Sequence, residues 1–497
     1  MRIRINRNST TPLYLQIENA IKEMIINGEL LDGYKLLSER GLADELGVHR
    51  NTVIKAYDNL ISEGLIVSSH TAPRGYFVLK NEKMEHNPIF FPLTKMIQYS
   101  FSSKEKEFQE IYDQSGCENV ISLGGMVMSD EISPESRISD ILEKMKNGEW
   151  ARKIRENEDS EIERLKSNIC MLMRERNTYI NKKNVQIVSE TTEALNHIIS
   201  LYLKPGDCIV AEQPIVPDVV NLFRNKGIEI AYVNQEADGI NLKELELMIL
   251  RKAPKFIYVM PNFHNPTGVV MSLKKRIELL EISRKYGIPI IEEDSLRDFN
   301  YKDKGYPTLY SMDRYKSVLY IDTFSLTFLP GIKTAFIIGP YEAIEMIGHY
   351  IVMTQVILSN IGQYMLNEFI ESGEYERYLQ DMRQYYLNKR NHMVAALSKI
   401  QCGEFTFVIP EGGLYIWCDM GTDVNERELV QACRNEGLIV MPGHLFYPNG
   451  YQGGCRLRLC YSNIKDEKIE EAVSILDRAI KQSIRNNETL SERIITE

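Results

Sequence analysis

VLYIDTFSLTFLPGIKTAFIIG, from Val318 to Gly339, is the stretch on which the fold turns. An apolar run, Val318 to Ile321, meets a polar turn at Asp322 to Ser325, and a second apolar run, Thr334 to Ile338, stops at Gly339. Short continuous apolar runs bounded by turn signals are how strands buried on both faces read, so the stretch predicts two buried strands flanking one functional loop. The same pattern recurs upstream at Gln186 to Val188, Cys208 to Ala211, Ile228 to Val233, Phe256 to Met260 and Ile288 to Ile291. Helical patterns separate these runs, for example Glu193 to Tyr202 and Leu273 to Tyr286. Such alternation predicts an α/β body, a mostly parallel sheet with helices on both faces. Downstream, long helices at Glu374 to Ile400 and Asp466 to Ile484 and short strands at Leu414 to Cys418 and Arg456 to Cys460 predict a smaller α+β domain. The residues after Gln482 read as a polar, frayed tail.

A length of 497 residues predicts two or more domains, and 43% hydrophobic with 26% charged residues is ordinary globular composition. No apolar run approaches a membrane span, and the N-terminal MRIRINRNSTTP has no signal-like apolar core, so a cytoplasmic protein without a membrane partner is expected. The formal charge is −10, yet residues 1–80 carry ten Lys/Arg against nine Asp/Glu, so the acidity lies in the remainder. An acidic bulk repels DNA, which confines any nucleic-acid contact to the N-terminal part. The cysteines at 117, 170, 208, 402, 418, 433, 455 and 460 form no CxxC pair and no metal-ligand spacing, so reduced structural thiols and no metal site are expected.

That N-terminal part reads as a winged helix. Leu13, Ile17, Ile21, Met24 and Ile25 fall at helical spacing, with Gly28 as a stop. Ser38 is placed to cap a short helix with Leu42, Ala43 and Leu46 inward, and Gly47 forces a turn into a helix whose buried stripe is Val53, Tyr57, Leu60 and Ile61. Two helices joined by a tight glycine turn form a helix-turn-helix, and LIVSSHTAPRGYFVLK supplies two strands around a turn at Pro73 to Gly75 as the wing. His49, Arg50, Asn51, Thr52 and Lys55 open the second helix with no apolar side chain before Val53, a row that suits a major groove. Arg40 starts the preceding helix and Arg74 tips the wing. The competing reading is a small solvated three-helix module. Residues 81–117 lose periodicity and read as a linker, with a short helix near Lys104 to Tyr112.

Residues 38–67 carry Ser-x-Arg, Leu-Ala, Gly-Val-x-Arg-x-Thr-Val, Ala-Tyr and Leu, and so resemble the GntR-type winged helix. Residues 119 to about 480 resemble fold-type I aminotransferases, and the combination resembles the MocR regulators of the GntR superfamily. The resemblance implies a DNA-binding domain at 1–80, a linker at 81–117, a large aminotransferase-like domain at 118–340, a small one at 341–484 and a tail at 485–497. It also implies a homodimer on a double-stranded operator. In that family the residue after Phe-Ser is the lysine that holds pyridoxal phosphate as an imine; here it is Leu326, which has no amine.

Other positions are carried over in the same way. Thr191 and Thr192 open the helix that would receive the phosphate, but Glu190 stands at the family's glycine and Lys333 at its phosphate-gripping arginine. Lys333 is read as a phosphate or solvent partner rather than a displaced imine lysine. Val216 replaces the stacking aromatic, Glu293 the aspartate that pairs the ring nitrogen, with Asp294 beside it, and Ser295 the tyrosine two residues on. Ser325 precedes the lost lysine. Asn265, in an Asn-Pro-Thr-Gly loop, is either a ring-hydroxyl donor or a plain turn residue. Arg458 falls where the family clamps an amino-acid carboxylate, with Arg456 on the same strand face; the competing reading is a surface ion pair. The expectation is a transcription regulator with no catalytic residue and no covalent cofactor, responding to a small anionic or amino-acid-like effector. The alternatives are an aminotransferase-like enzyme or a regulator that keeps pyridoxal phosphate noncovalently, and a body that is only a dimerisation scaffold.

Overall fold

The computed structural model describes the chain apart from residues 1, 2, 4, 8, 10, 27, 28, 70–73, 80–101, 118, 119, 126, 127, 147, 149–159, 303, 304, 355–358, 451, 452 and 497, and apart from the side chains of 26, 136 and 488–496. The chain divides into two compact units, residues 1–100 and 101–497.

In the first unit the helix Leu13–Ile26 buries Ile17 and Ile21 in one cluster with Val53, Ala56, Tyr57 and Leu60 of the helix Arg50–Ser62. Ser38 caps the helix Glu39–Leu46 by accepting from the N–H of Gly41 at 3.1 Å. Gly47 ends that helix at φ 61°, a left-handed turn that costs glycine no Cβ clash. The strands Ile66–Ser69 and Gly75–Val78 pair antiparallel, Ile66 opposite Val78, as a wing requires. The turn residue Pro73 and the helix stop Gly28 lie outside the described residues.

The second unit is built on an eight-stranded sheet in the order Val185–Val188, Ala335–Ile338, Val318–Thr323, Ile290–Glu293, Ile257–Val259, Cys208–Gln213, Glu229–Glu236, Gly239–Ile240. Every residue of Val318–Thr323 is buried, as its unbroken apolar pattern predicts. Only Ala335–Ile338 and the short Gly239–Ile240 run against their neighbours, so the sheet is mixed and mostly parallel. The loops after Val188, Gln213, Val259, Glu293 and Thr323 therefore gather at one edge, where ligands of open α/β sheets bind. A four-stranded antiparallel sheet, Thr406–Phe407, Tyr415–Asp419, Arg456–Cys460 and Met441–Pro442, forms the smaller domain. Met393, Ala396 and Leu397 of the helix Glu374–Leu397 join its core with Ile469, Ala472 and Leu476 of the helix Asp466–Thr496.

Two segments differ from the sequence reading. Residues 485–496, read as a polar tail, continue the helix Asp466–Thr496. No Gly or Pro interrupts them, and Asn486 and Asn487 donate to Glu428 Oε2 at 3.2 Å and to the carbonyl of Asp423 at 2.7 Å. Of the segment read as linker, residues 81–101 lie outside the described residues; the short helix expected near Lys104 to Tyr112 is present as Ser103–Ser115, but it belongs to the second unit. Ser102 and Glu105 form its capping box, and Phe108 and Ile111 are buried with Ile439, Met441, Leu445 and Phe446.

His444 locks that helix in place, its Nε2 3.2 Å from Glu107 Oε2 and its Nδ1 paired with Glu426. Burial alone would lower the imidazole pKa, but the bonds to Glu107 and Glu426 raise it to about 9. A raised folded-state value means the stabilisation is complete below the unfolded value of about 6.5 and is lost as pH rises through about 9. The melting temperature of His444→Gln should therefore lie below wild type under mildly acidic conditions and converge with it above about pH 9. A gap that is constant with pH contradicts this.

All eight cysteines are free thiols. Among the described residues no helix is long and apolar enough to cross a membrane, and no group of three or more His, Cys, Asp or Glu could hold a metal.

Candidate functional site

At the strand ends, Glu293 is buried and its carboxylate is already spoken for. Tyr258 on the neighbouring strand donates to Oε2 at 2.6 Å, and Ser295 donates to Oε1 at 2.8 Å. Burial pushes this carboxyl up, while the two hydroxyl donors pull it down. Asp294 turns into a separate network, accepting from Asn262 at 2.8 Å, Arg297 at 3.0 Å and Tyr320 at 3.1 Å.

The helix Thr191–Tyr202 starts at the same edge, with Thr191 and Thr192 as its first residues and Glu190 at the N-cap. Glu190 makes no capping bond; its Oε1 lies 3.7 Å from Lys333 Nζ. Val216 is half-buried at the start of the helix Pro217–Asn225 and presents no ring. Ser325 is buried, its N–H donates to Thr323 Oγ1 at 3.0 Å, and its hydroxyl finds no partner among the described residues. Leu326 packs half-buried against the cluster that includes Phe324, Phe328 and Tyr415.

Arg458 is 1% exposed, which removes the surface reading of this residue. Its Nη1 donates to Asn265 Oδ1 at 3.1 Å and its Nη2 to the Gly124 carbonyl at 2.9 Å. The guanidinium lies over the rings of Tyr415 at 4.6 Å and Phe446 at 5.0 Å, and Nε has no partner among the described residues. The structure thus joins Asn265 to Arg458 across 193 positions of sequence. Arg456 is occupied elsewhere, with Asp419 at 2.9 Å and the Tyr447 hydroxyl at 2.9 Å.

In the first unit, Arg40, His49, Arg50, Asn51, Lys55 and Arg74 are exposed and Thr52 is half-buried. Glu39 orients Arg50 through bonds of 2.9 and 2.6 Å, His49 caps its own helix by accepting from Asn51 N–H, and Lys55 Nζ sits 3.9 Å above the Tyr14 ring. All but Arg40 and Arg74 thus lie on the first turns of one helix or at its cap.

The sequence reading missed Tyr258, which fills the carboxylate of Glu293, because a cross-strand pair depends on register. It also missed a cavity of about 860 Å³ lined by Arg176, Arg297, Asp298, Lys302, Tyr306 and Arg383. Arg176 bridges Asp298 of that lining at 2.5 Å to Asp322, which lies outside it, at 3.4 Å, and burial pushes the Asp322 carboxyl above its usual range. No local motif announces these residues.

Comparison with known proteins matches residues 138–476 to aminotransferase class I and II and residues 13–76 to bacterial regulatory proteins of the gntR family. The chain is 26% identical over 461 residues to the uncharacterized HTH-type transcriptional regulator YisV of Bacillus subtilis strain 168, covering 93% of this chain and 95% of that one. It is 28% identical over 305 residues to 2-aminoadipate transaminase of Thermus thermophilus, covering 61% of this chain and 76% of the enzyme. The crystal structure of Pyrococcus horikoshii kynurenine aminotransferase superposes with a TM-score of 0.70 at 23% identity, over 81% of this chain and 98% of that one, a likeness of fold.

Proposed function

As a member of the aminotransferase class I and II family behind a gntR-family head, this chain is a MocR-type transcription regulator, and we propose that its body senses an effector without covalent pyridoxal phosphate. The observation that carries the reading is Leu326, a half-buried aliphatic side chain at the position that the family resemblance assigns to the imine-forming lysine. Val216 offers no stacking ring, and both oxygens of Glu293 already accept from Tyr258 and Ser295 rather than facing a ring nitrogen. Pyridoxal phosphate bound as an imine would supply an electron sink; this residue set does not fit it, so no catalytic step is assigned. Arg458, with Asn265, is the anchor for an effector carboxylate, while Thr191, Thr192, Ser325 and Lys333 border the same edge. A visible spectrum after incubation with excess pyridoxal phosphate, followed by borohydride reduction and mass measurement, tests this. A reduced adduct at one lysine together with turnover of an amino acid overturns it.

On the DNA side, Arg40, His49, Arg50, Asn51, Thr52, Lys55 and Arg74 form the operator-reading set, on a head bounded near residue 80. The family resemblance supports a cytoplasmic homodimer, and its two-fold symmetry would require paired half-sites. An effector that binds one arrangement of the dimer more tightly shifts the spacing of the two heads and so operator affinity. Retardation of DNA from the protein's own promoter region checks the contact; no shift at low salt would sink it. Within that assay, exposed Arg40→Ala should weaken operator binding about tenfold, the scale of one base or phosphate contact, with the fold unchanged by circular dichroism. Unaltered affinity removes Arg40 from the interface.

A further inference from the structure

We propose that Glu190 occupies the electrostatic place of a phosphate, so that the body selects phosphate-free ligands and rejects phosphorylated ones. This rests on the effector-sensing reading above and adds a ligand class to it. A helix start attracts anions because its first N–H groups are unsatisfied and its dipole is positive there. At the helix Thr191–Tyr202 the chain places carboxylates of its own beside that start, although Glu190 makes no capping bond to it. Glu190 is the N-cap and pairs with Lys333 at 3.7 Å. Glu193, in the first turn, takes the N–H of Ser189 at 2.6 Å on its Oε2, and the Ser189 hydroxyl as well. The other oxygen of Glu193 lies 3.4 Å from His197 Nε2.

Two carboxylates therefore stand within one turn of the helix start, and two of the local donors, Ser189 and Lys333, are paired with them. A phosphate dianion entering here meets like charge from both and must break the Lys333 pair to gain a cation. A ligand without phosphate meets no such repulsion, and its carboxylate has Arg458 instead. Glu190 is 26% exposed on its side chain and Lys333 63%, so the pair can be dissected by mutation without opening the core.

Pyridoxamine and pyridoxamine phosphate differ by the phosphate alone and carry no aldehyde to react with surface lysines. Titrating each into the full chain by calorimetry, for wild type, Glu190→Gly and Glu190→Gln, isolates the phosphate's contribution. Wild type should bind the phosphorylated compound no more tightly than the unphosphorylated one. Glu190→Gly should bind pyridoxamine phosphate, or inorganic phosphate, at least about tenfold more tightly than wild type, with Glu190→Gln moving the same way. Glu190→Gln keeps the side chain's size and decides the matter if the glycine variant fails to fold. The proposal is overturned if wild type prefers the phosphorylated compound about tenfold or more, or if neither variant gains affinity for any phosphate compound. Operator retardation on the same samples separates the two ideas: losing the DNA contact sinks the regulator reading and leaves the phosphate comparison standing.

Discussion

Tyr57→Ala should abolish operator binding, by unfolding the head and not by removing a DNA contact. Tyr57 is fully buried, its ring packs 4.7 Å from that of Tyr76, and its hydroxyl donates to the Leu37 carbonyl at 2.9 Å. Truncating a buried aromatic costs roughly 3–5 kcal/mol, against a total of about 5–15 kcal/mol for a whole domain. Tyr57→Phe keeps the ring and loses only the hydroxyl bond, about 1 kcal/mol, so it should still bind. Because residues 1–100 and 101–497 each form a compact unit, the melting transition of the head should fall further than that of the body. Wild-type retardation by the alanine variant would contradict the account.

Arg458→Ala should have the second largest effect, on the body. The change leaves the Asn265 side-chain oxygen and the Gly124 carbonyl without the donors they have now, and empties the space between Tyr415 and Phe446. Stranding buried acceptors costs about 1–3 kcal/mol, and the lost packing brings the total to roughly 3–5 kcal/mol. Denaturant unfolding of the body should show it as a lower midpoint. Arg458→Lys should recover little, because a single ammonium cannot reproduce two divergent bonds and the stacking of a planar group. A lysine variant with wild-type stability and wild-type effector response would rule out the geometric role.

Much of the fold was legible because burial on both faces writes a continuous apolar run: Val318 to Ile321 and Thr334 to Ile338 came out as central strands within one or two residues of their ends. The head was legible because its caps are local, Ser38 three residues from Gly41 and Gly47 at the turn. What sequence could not carry was anything set by distant partners. The polar residues 485–496 look like a tail in isolation, yet the helix they continue is tied to Glu428 and Asp423. Ser102 and Glu105 announce a helix start, but that Phe108 lands on Phe446 is fixed by the fold of residues more than 300 positions later. The same holds in the candidate site. That Leu326 has no amine is plain from the sequence itself, whereas the pairing of Glu293 with Tyr258, and the depth at which Arg458 sits, follow from how strands line up.

The anchoring of the helix Ser103–Ser115 has a mechanical corollary. Its Phe108 and Ile111 rest on Ile439 and Met441, and Met441 lies directly opposite Arg458 in the antiparallel register of the small sheet. The first helix of the second unit is thus bolted one strand away from Arg458, so a displacement of that strand is passed directly to the helix.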